Sequence, residues 1–381
     1  MSQIKRKTYD CIVIGLGGMG SASIYQVAKR GSSVLGLEQF DIPNNRGSSH
    51  GINRIIRLAY YEDPSYVPLL IRAYQLWTEI EQKIGDKLLF KTGSIDAGPE
   101  DSEVFKSSLR SCEIHNIDHE VLSANQLNKR FSGYQLPDGH FGLLQRDGGF
   151  LLSEKSISAF VDVAQSYGAE IHKHEPVLGW ETRNGEVEVT TEYGTYNSKS
   201  LIISAGAWIS KMVPSFQKII SVERQVLGWF KPSRPDIFAP ENFPVFNLLV
   251  DEGRYYGFPI YGIPGFKIGK YHHLGEEIVP EQLENKIKKR DEQVLLDAVK
   301  KYFPDALGPA LALKTCMFTN TPDEHFILDT LPGQPNIMIV AGFSGHGFKF
   351  CSVVGEIAAD MVLKGQTNYN IDLLRLTRFK F

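Results

Sequence analysis

No stretch of this 381-residue chain approaches the roughly 18 uninterrupted apolar residues that a membrane-crossing helix needs. Charge of one sign is scarce as well. The 41 Lys and Arg residues face 44 Asp and Glu, a net charge of −3, so no strong field points to nucleic acid as a partner. Cysteine is sparse: Cys11, Cys112, Cys316 and Cys351 stand apart, with no CxxC pair. That spacing argues against a structural zinc site and a disulfide scaffold, and it fits a reducing, cytoplasmic setting. Repeats and low-complexity linkers are missing too. The basic trio Lys5, Arg6 and Lys7 precedes an apolar run over residues 11–16, but that run is too short for a signal peptide and ends in glycines. It reads as a first strand. What is left is an ordinary globular composition, 42% hydrophobic and 22% charged, long enough for roughly two to three domains.

The first positive signal is a turn. Residues 9–14 read as a buried strand, residues 21–30 as a helix and residues 34–37 as a second strand. Between the first two lie Gly15, Gly17 and Gly20 in GxGxxG spacing. The first glycine permits the tight turn, the second lets the backbone approach a diphosphate, and the third allows close helix–strand packing. The helix N-terminus adds free N–H groups for the phosphates. Glu38 ends the second strand, where its carboxylate can accept from ribose hydroxyls and disfavours a 2′-phosphate. This much does not separate FAD from NAD.

The separation comes later in the chain. Ser204-Ala205-Gly206-Ala207-Trp208 reads as a second dinucleotide-contact turn. A strand over 336–340 runs into Gly342-Phe343-Ser344-Gly345-His346-Gly347 and then a helix from Ser352. A helix start there can face a flavin pyrimidine, whose reduced form gathers negative charge. An NAD dehydrogenase has no need of this third element. The intervening segments read as helices over 66–84, 102–117, 154–167 and 281–303, with a β-rich, aromatic stretch over 221–269. The expected class is therefore α/β. A discontinuous Rossmann-type FAD-binding domain takes 1–85, 145–220 and 316–381. An inserted antiparallel-sheet substrate domain takes 86–144 and 221–315.

Several longer motifs point further. They are Arg46-Gly47-Ser48-Ser49-His50-Gly51 with Arg54-Ile55-Ile56-Arg57, Tyr255-Tyr256-Gly257-Phe258-Pro259, Phe266-Lys267-Ile268-Gly269, Thr315-Cys316-Met317-Phe318-Thr319, and residues 344–349 ending in Lys349. In this order, from about residue 9 to 378, the chain resembles the monomeric sarcosine oxidase family, which includes N-methyltryptophan oxidase. The resemblance implies a glutathione-reductase-like, D-amino-acid-oxidase-like fold. It implies FAD held covalently through Cys316, with Met317, Ser48, Gly345 and Gly347 also at the cofactor. It makes Arg57 and Lys349 the anchors of a substrate carboxylate, which a guanidinium can grip bidentately, with Tyr256 and Phe318 lining the pocket. Lys267, supported by Arg54, becomes the cation that favours oxygen reduction.

The chain also departs from the pattern. Counting from Lys267 places the family's histidine at Tyr271, whereas a one-residue gap places it at His272, which is the expectation adopted. Phe318 stands where the sarcosine enzymes have a tyrosine, and Ile52-Asn53 replaces an Asp-Thr pair beside the flavin.

The implied reaction oxidises a secondary N-methyl amino acid such as sarcosine to an imine. Hydrolysis then gives the amino acid and formaldehyde, and O2 becomes H2O2. N-methyltryptophan, pipecolate, proline or a fructosyl amino acid are alternative substrates on the same fold, and a non-oxygen acceptor is an alternative oxidant. The implied partners are a small amino-acid substrate and O2, with no metal, nucleic acid or membrane, and the implied state is a monomer. An NAD dehydrogenase would carry no chromophore, and a passive flavin binder would need neither Arg57 and Lys349 nor Lys267.

Overall fold

Strand Thr8–Ile14 is buried nearly throughout because Val and Ile alternate with other apolar residues on both of its faces, as a central parallel strand requires. It pairs in parallel with Val34–Leu37 on one side and with Thr195–Ile203 on the other. Gln334–Ala341 adds a further parallel strand beyond Thr195–Ile203, and an antiparallel ribbon of Val177–Arg183 and Glu186–Thr191 extends the same sheet of eight strands. Helices Gly18–Lys29, Ser153–Ser166 and Cys351–Lys364 cover one face with an apolar layer. The computed structural model describes residues 8–283 and 286–380; the basic trio Lys5, Arg6 and Lys7 lies outside the described residues.

A second sheet of eight strands runs in the order Ala310–Asn320, Ser221–Phe230, Phe266–Lys270, Gly253–Phe258, Val245–Val250, Ser94–Pro99, His140–Gln145, Glu120–Ser123. Its pairings are antiparallel except between Val245–Val250 and Ser94–Pro99. One face packs an aromatic core in which Phe246 lies 4.7 Å from Phe303, Phe243 4.8 Å from Tyr134 and Phe266 5.1 Å from Phe303. Aromatics dominate because large flat side chains fill the space between a twisted sheet and the helix Lys289–Tyr302 that covers it.

The elements differ from sequence expectation in identifiable places. The segment 88–96 forms two strands, Leu89–Lys91 and Ser94–Pro99, because Gly93 between them takes a positive φ of 78°. The helix expected over 281–303 is Lys289–Tyr302, preceded by a 3-10 turn at Pro280–Gln282, and residues 284 and 285 lie outside the described residues. The start is set by Asp291, whose carboxylate accepts the Lys288 N–H at 2.7 Å. The expected boundary before residue 316 falls inside the strand Ala310–Asn320, which pairs along its length with Ser221–Phe230.

Asp291 also ties this helix to the sheet. It is fully buried and receives Arg224 Nη1 at 2.9 Å and Nη2 at 2.8 Å. Burial alone would raise its carboxyl, but these bonds, the Lys288 N–H and His273 at 3.2 Å hold it well below the usual carboxylate range. Asp291→Ala strands a buried guanidinium, so urea unfolding should show a loss of about 3–5 kcal/mol. Because the folded carboxyl is depressed, the native contribution is present above the unfolded value near about 4 and is lost as pH falls below it. The difference between wild type and Asp291→Ala should therefore shrink on acidification.

Candidate active site

A cavity of about 470 Å³ runs along the carboxyl ends of the first sheet, walled by Gly17, Glu38, Arg54, Phe318, Thr319 and Gly345 among others. Its floor is the first glycine turn. A side chain at Gly20 would run into the Gly15 carbonyl oxygen, whereas a Cβ at Gly17 would meet nothing within 4 Å. Gly17 is therefore the open side of the turn, directly before the helix Gly18–Lys29, where a diphosphate can approach backbone N–H groups. Glu38 is buried and accepts from the Leu16 N–H at 2.8 Å and the Phe40 N–H at 3.0 Å. Burial pushes its pKa up, and each oxygen keeps acceptor capacity for a hydroxyl.

The opposite wall is the second glycine turn. A 3-10 turn Phe348–Phe350 leads into Cys351–Lys364, so helical structure starts immediately after Gly347. Gly345 has φ 79°, and a side chain there would strike the Phe318 ring. Thr319 Oγ1, in the same cavity wall, is buried without a hydrogen-bond partner among the described residues. An orphaned polar atom, an open glycine cradle and a ribose-type acid along one groove fit a bound dinucleotide.

Ser48 and Arg54 line this groove, and Cys316 lies behind them, within reach of both. Arg54 donates to the Ser48 carbonyl at 2.8 Å and the Asn53 carbonyl at 2.9 Å, and its Nη2 lies 3.8 Å from Cys316 Sγ. The thiol is 3.6 Å from the Ser48 carbonyl. Met317 is buried with Ala207 and Val222 in a small apolar cluster. Lys267 is 2% exposed, so it faces the interior rather than solvent. Its Nζ donates to Gly51 O at 2.8 Å, Asn53 O at 2.9 Å and Asn53 Oδ1 at 2.7 Å, and it lies 4.1 Å from the Phe258 ring centroid. Burial, reinforced by Arg54, pushes its pKa well below the ordinary lysine value.

Arg57 and Lys349 also converge, around Tyr60, at 4.6 and 5.2 Å from its ring centroid. Both are buried. Arg57 donates to Glu62 at 2.8 Å and to the Ala59 carbonyl, and lies 3.5 Å from Asp96. Burial would raise the Glu62 carboxyl, but Arg57, then His346 and Lys349, outweigh it and hold it at about 2. Lys349 donates to the His346 carbonyl at 2.7 Å; burial and Arg57 push its pKa down to about 7. Sequence reasoning missed Glu62 and Asp96. Asp96 carried a usable signal, an acid inside an otherwise apolar strand, whereas Glu62 carried none.

The structure separates the two candidates for the histidine position. Tyr271 is buried, donates to the Ser344 carbonyl and packs 5.0 Å from Phe318. His272 takes a left-handed φ of 54°, which turns its ring toward carboxylates: Nδ1 is 2.6 Å from Glu223 and Nε2 2.9 Å from Glu324. These bonds push its pKa up to about 9. The side chain is 38% exposed, and its ring lies 6.3 Å from Phe318. Tyr271 thus faces the glycine turn, and His272 faces Glu223 and Glu324. Tyr256 packs in an apolar cluster with Phe258 and Val245. Among the described residues, no group of three or more His, Cys, Asp or Glu side chains could hold a metal ion, and no helix is long and apolar enough to cross a membrane.

Residues 10–361 match the model of the family described as FAD dependent oxidoreductase. Monomeric sarcosine oxidase from Streptomyces avermitilis is 40% identical over 96% of both chains. N-methyl-L-tryptophan oxidase from Salmonella newport is 35% identical over 97% of this chain and 99% of its own. Among solved structures, an open form of NikD, described as an unusual amino acid oxidase essential for nikkomycin biosynthesis, superposes with a TM-score of 0.83. It is 23% identical and covers 97% of each chain. Amadoriase I from Aspergillus fumigatus gives 0.81 at 20% identity, over 97% of this chain and 89% of its own.

The two glycines of the first turn give opposite expectations. Gly17→Ala should leave urea stability within about 0.5 kcal/mol of wild type while lowering retained flavin on purification. Gly20→Ala should cost about 1–3 kcal/mol through overpacking against Gly15. Equal stability losses in the two variants would contradict the open-cradle geometry.

Proposed function

This chain belongs to the FAD dependent oxidoreductase family, and on that premise we propose that it oxidises secondary N-methyl amino acids such as sarcosine. The product imine hydrolyses to an amino acid and formaldehyde, and O2 is reduced to H2O2. The observation that carries this reading is the meeting of Arg57 and Lys349 around one buried ring, Tyr60, which neither a passive flavin carrier nor an NAD enzyme calls for.

FAD, when bound, would supply the two-electron redox chemistry, accepting the hydride equivalent from the carbon next to nitrogen while the nitrogen loses its proton, and passing both electrons to O2, which with two protons becomes H2O2. The chain's own residues bind and orient. Glu38 would hold the ribose, the Gly15–Gly17–Gly20 turn would admit the diphosphate, and Gly345 and Gly347 would let the second turn approach the cofactor. Cys316, with Met317, Ser48 and Arg54 around it, would be the attachment point for a covalent flavin. Arg57 and Lys349 grip the substrate carboxylate, while Tyr256 and Phe318 wall the rest of the substrate and exclude water. Lys267 and Arg54 set the local field where O2 gains negative charge. His272, paired with Glu223 and Glu324, braces Phe318 and Tyr271 from outside. A monomer acting on a small molecule accords with the name of the Streptomyces avermitilis relative, monomeric sarcosine oxidase.

The test is anaerobic titration of the visible flavin band with sarcosine, N-methyltryptophan, pipecolate, proline and fructosyl-glycine. Bleaching by sarcosine is the expected result; bleaching by another member reassigns the substrate, and none at all overturns the reading. Acid precipitation should leave the colour on the wild-type polypeptide and release it from Cys316→Ala.

Lys349 adds a pH expectation. With its pKa near 7 in the free protein, the amine is already charged below that pH, and binding of a carboxylate there is flat. Above it, binding must take up a proton, so affinity should fall about tenfold per pH unit. Propionate, which has no amine of its own, is the probe, read by perturbation of the flavin spectrum. Lys349→Met should remove the slope.

A further inference from the structure

The guanidiniums buried around the site are not all partnered alike. Arg57 is occupied by Glu62, Asp96 and the Ala59 carbonyl, and Arg224 by Asp291, Glu276 and the Lys286 carbonyl. Arg254 is different. Its side chain is only 20% exposed, yet among the described residues its guanidinium makes no hydrogen bond. Its carbon lies 3.6 Å from the centroid of the Tyr271 ring and 5.2 Å from that of Tyr61. Its one carboxylate neighbour within ion-pair distance among the described residues is Glu324, at 3.9 Å, and the other oxygen of Glu324 is held by His272. Five N–H donors are thus oriented by aromatic faces and left without acceptors.

Register places these donors at the site. In the Gly253–Phe258 strand, Phe258 pairs with Lys267 and Tyr256 with Gly269, and the Tyr271 N–H bonds to the Arg254 carbonyl at 2.7 Å. Arg254, Tyr256 and Phe258 alternate onto one face, the face that carries Lys267 and Tyr271. Tyr61 contacts both cations: Arg57 lies 4.2 Å from its ring centroid and Arg254 5.2 Å. A single aromatic side chain therefore spaces the carboxylate anchor from a second, unsatisfied guanidinium.

We propose that Arg254 reads a second acidic group on the substrate, so that this chain prefers N-alkyl amino acids with a side-chain carboxylate over sarcosine. The α-carboxylate would lie on Arg57 and Lys349, and the side-chain carboxylate would take the donors of Arg254 in place of Glu324. This rests on the amine-oxidase reading given above.

The experiment compares kcat/KM for N-methyl-L-aspartate, N-methyl-L-glutamate, N-methyl-L-alanine and sarcosine in wild type, Arg254→Gln and Arg254→Lys. In parallel, succinate, glutarate and propionate are titrated against the holoenzyme and followed through the flavin spectrum. The expected result is a preference for one dicarboxylate substrate that falls at least tenfold in Arg254→Gln, mainly in KM, and is partly restored in Arg254→Lys. The dicarboxylate probe should lose its advantage over propionate in the same order. A wild type with no such preference, or a substrate ratio unchanged by Arg254→Gln, overturns the proposal. If no N-methyl amino acid bleaches the flavin, the amine-oxidase reading fails, and the glutarate-to-propionate ratio still decides whether Arg254 recognises a second carboxylate.

Discussion

One buried amine connects the two halves of this molecule. Lys267 stands on the second sheet, and all three of its hydrogen bonds end on residues 51 and 53, in the segment that leads into Arg54 and Arg57. Three oxygens match the three protons of an ammonium, while burial and Arg54 work against the charge. The balance couples position to protonation: the segment is held tightly when the amine is charged. Arg54 then meets Ser48 and Cys316, and Arg57, three residues on, is aimed at Tyr60 and Glu62. Much of the site's geometry therefore follows from one strand-borne side chain gripping a neighbouring backbone.

Around that grip the charges alternate instead of accumulating. Arg57, Lys349 and Arg254 are offset by Glu62, Asp96 and Glu324, and His272 is offset by Glu223 and Glu324. Burying this many ions is tolerable only where each has a partner, because an isolated one costs several kcal/mol. The exception is instructive. Arg254 leans chiefly on ring faces, with Glu324 only a distant partner at 3.9 Å, a weaker arrangement for a buried cation and one open to exchange.

The dinucleotide turn was legible because its chemistry is local. Three glycines, a strand before them, a helix after and an acid at the end of the next strand are separated by short, countable intervals, and the turn admits few other geometries. The second glycine turn was legible for the same reason. The neighbours of Arg57 were not, since Asp96 arrives from another strand and Glu62 differs in no sequence-visible way from a surface acid. Counting could not show which way His272 and Tyr271 point, because that depends on a single left-handed residue that rotates one ring outward. Arg254 reads as an ordinary strand arginine until register shows which face it occupies. The helix expected from 281 looked longer because its polar flank has good helix propensity, whereas its actual start is set by Asp291 capping Lys288.

The strand Ala310–Asn320 belongs wholly to the second sheet, yet Met317, Phe318 and Thr319, next to Cys316, wall a groove whose floor is built by the first. A cofactor lying on the first sheet's glycine turn and bonded to that cysteine would be a covalent staple between two layers that share no strand. Loop closure through such a staple restricts the unfolded chain, so the two layers would lose structure together. In such a protein the colour of the flavin and the integrity of the fold become one observable, and the cofactor is as much a part of the architecture as the strands it spans.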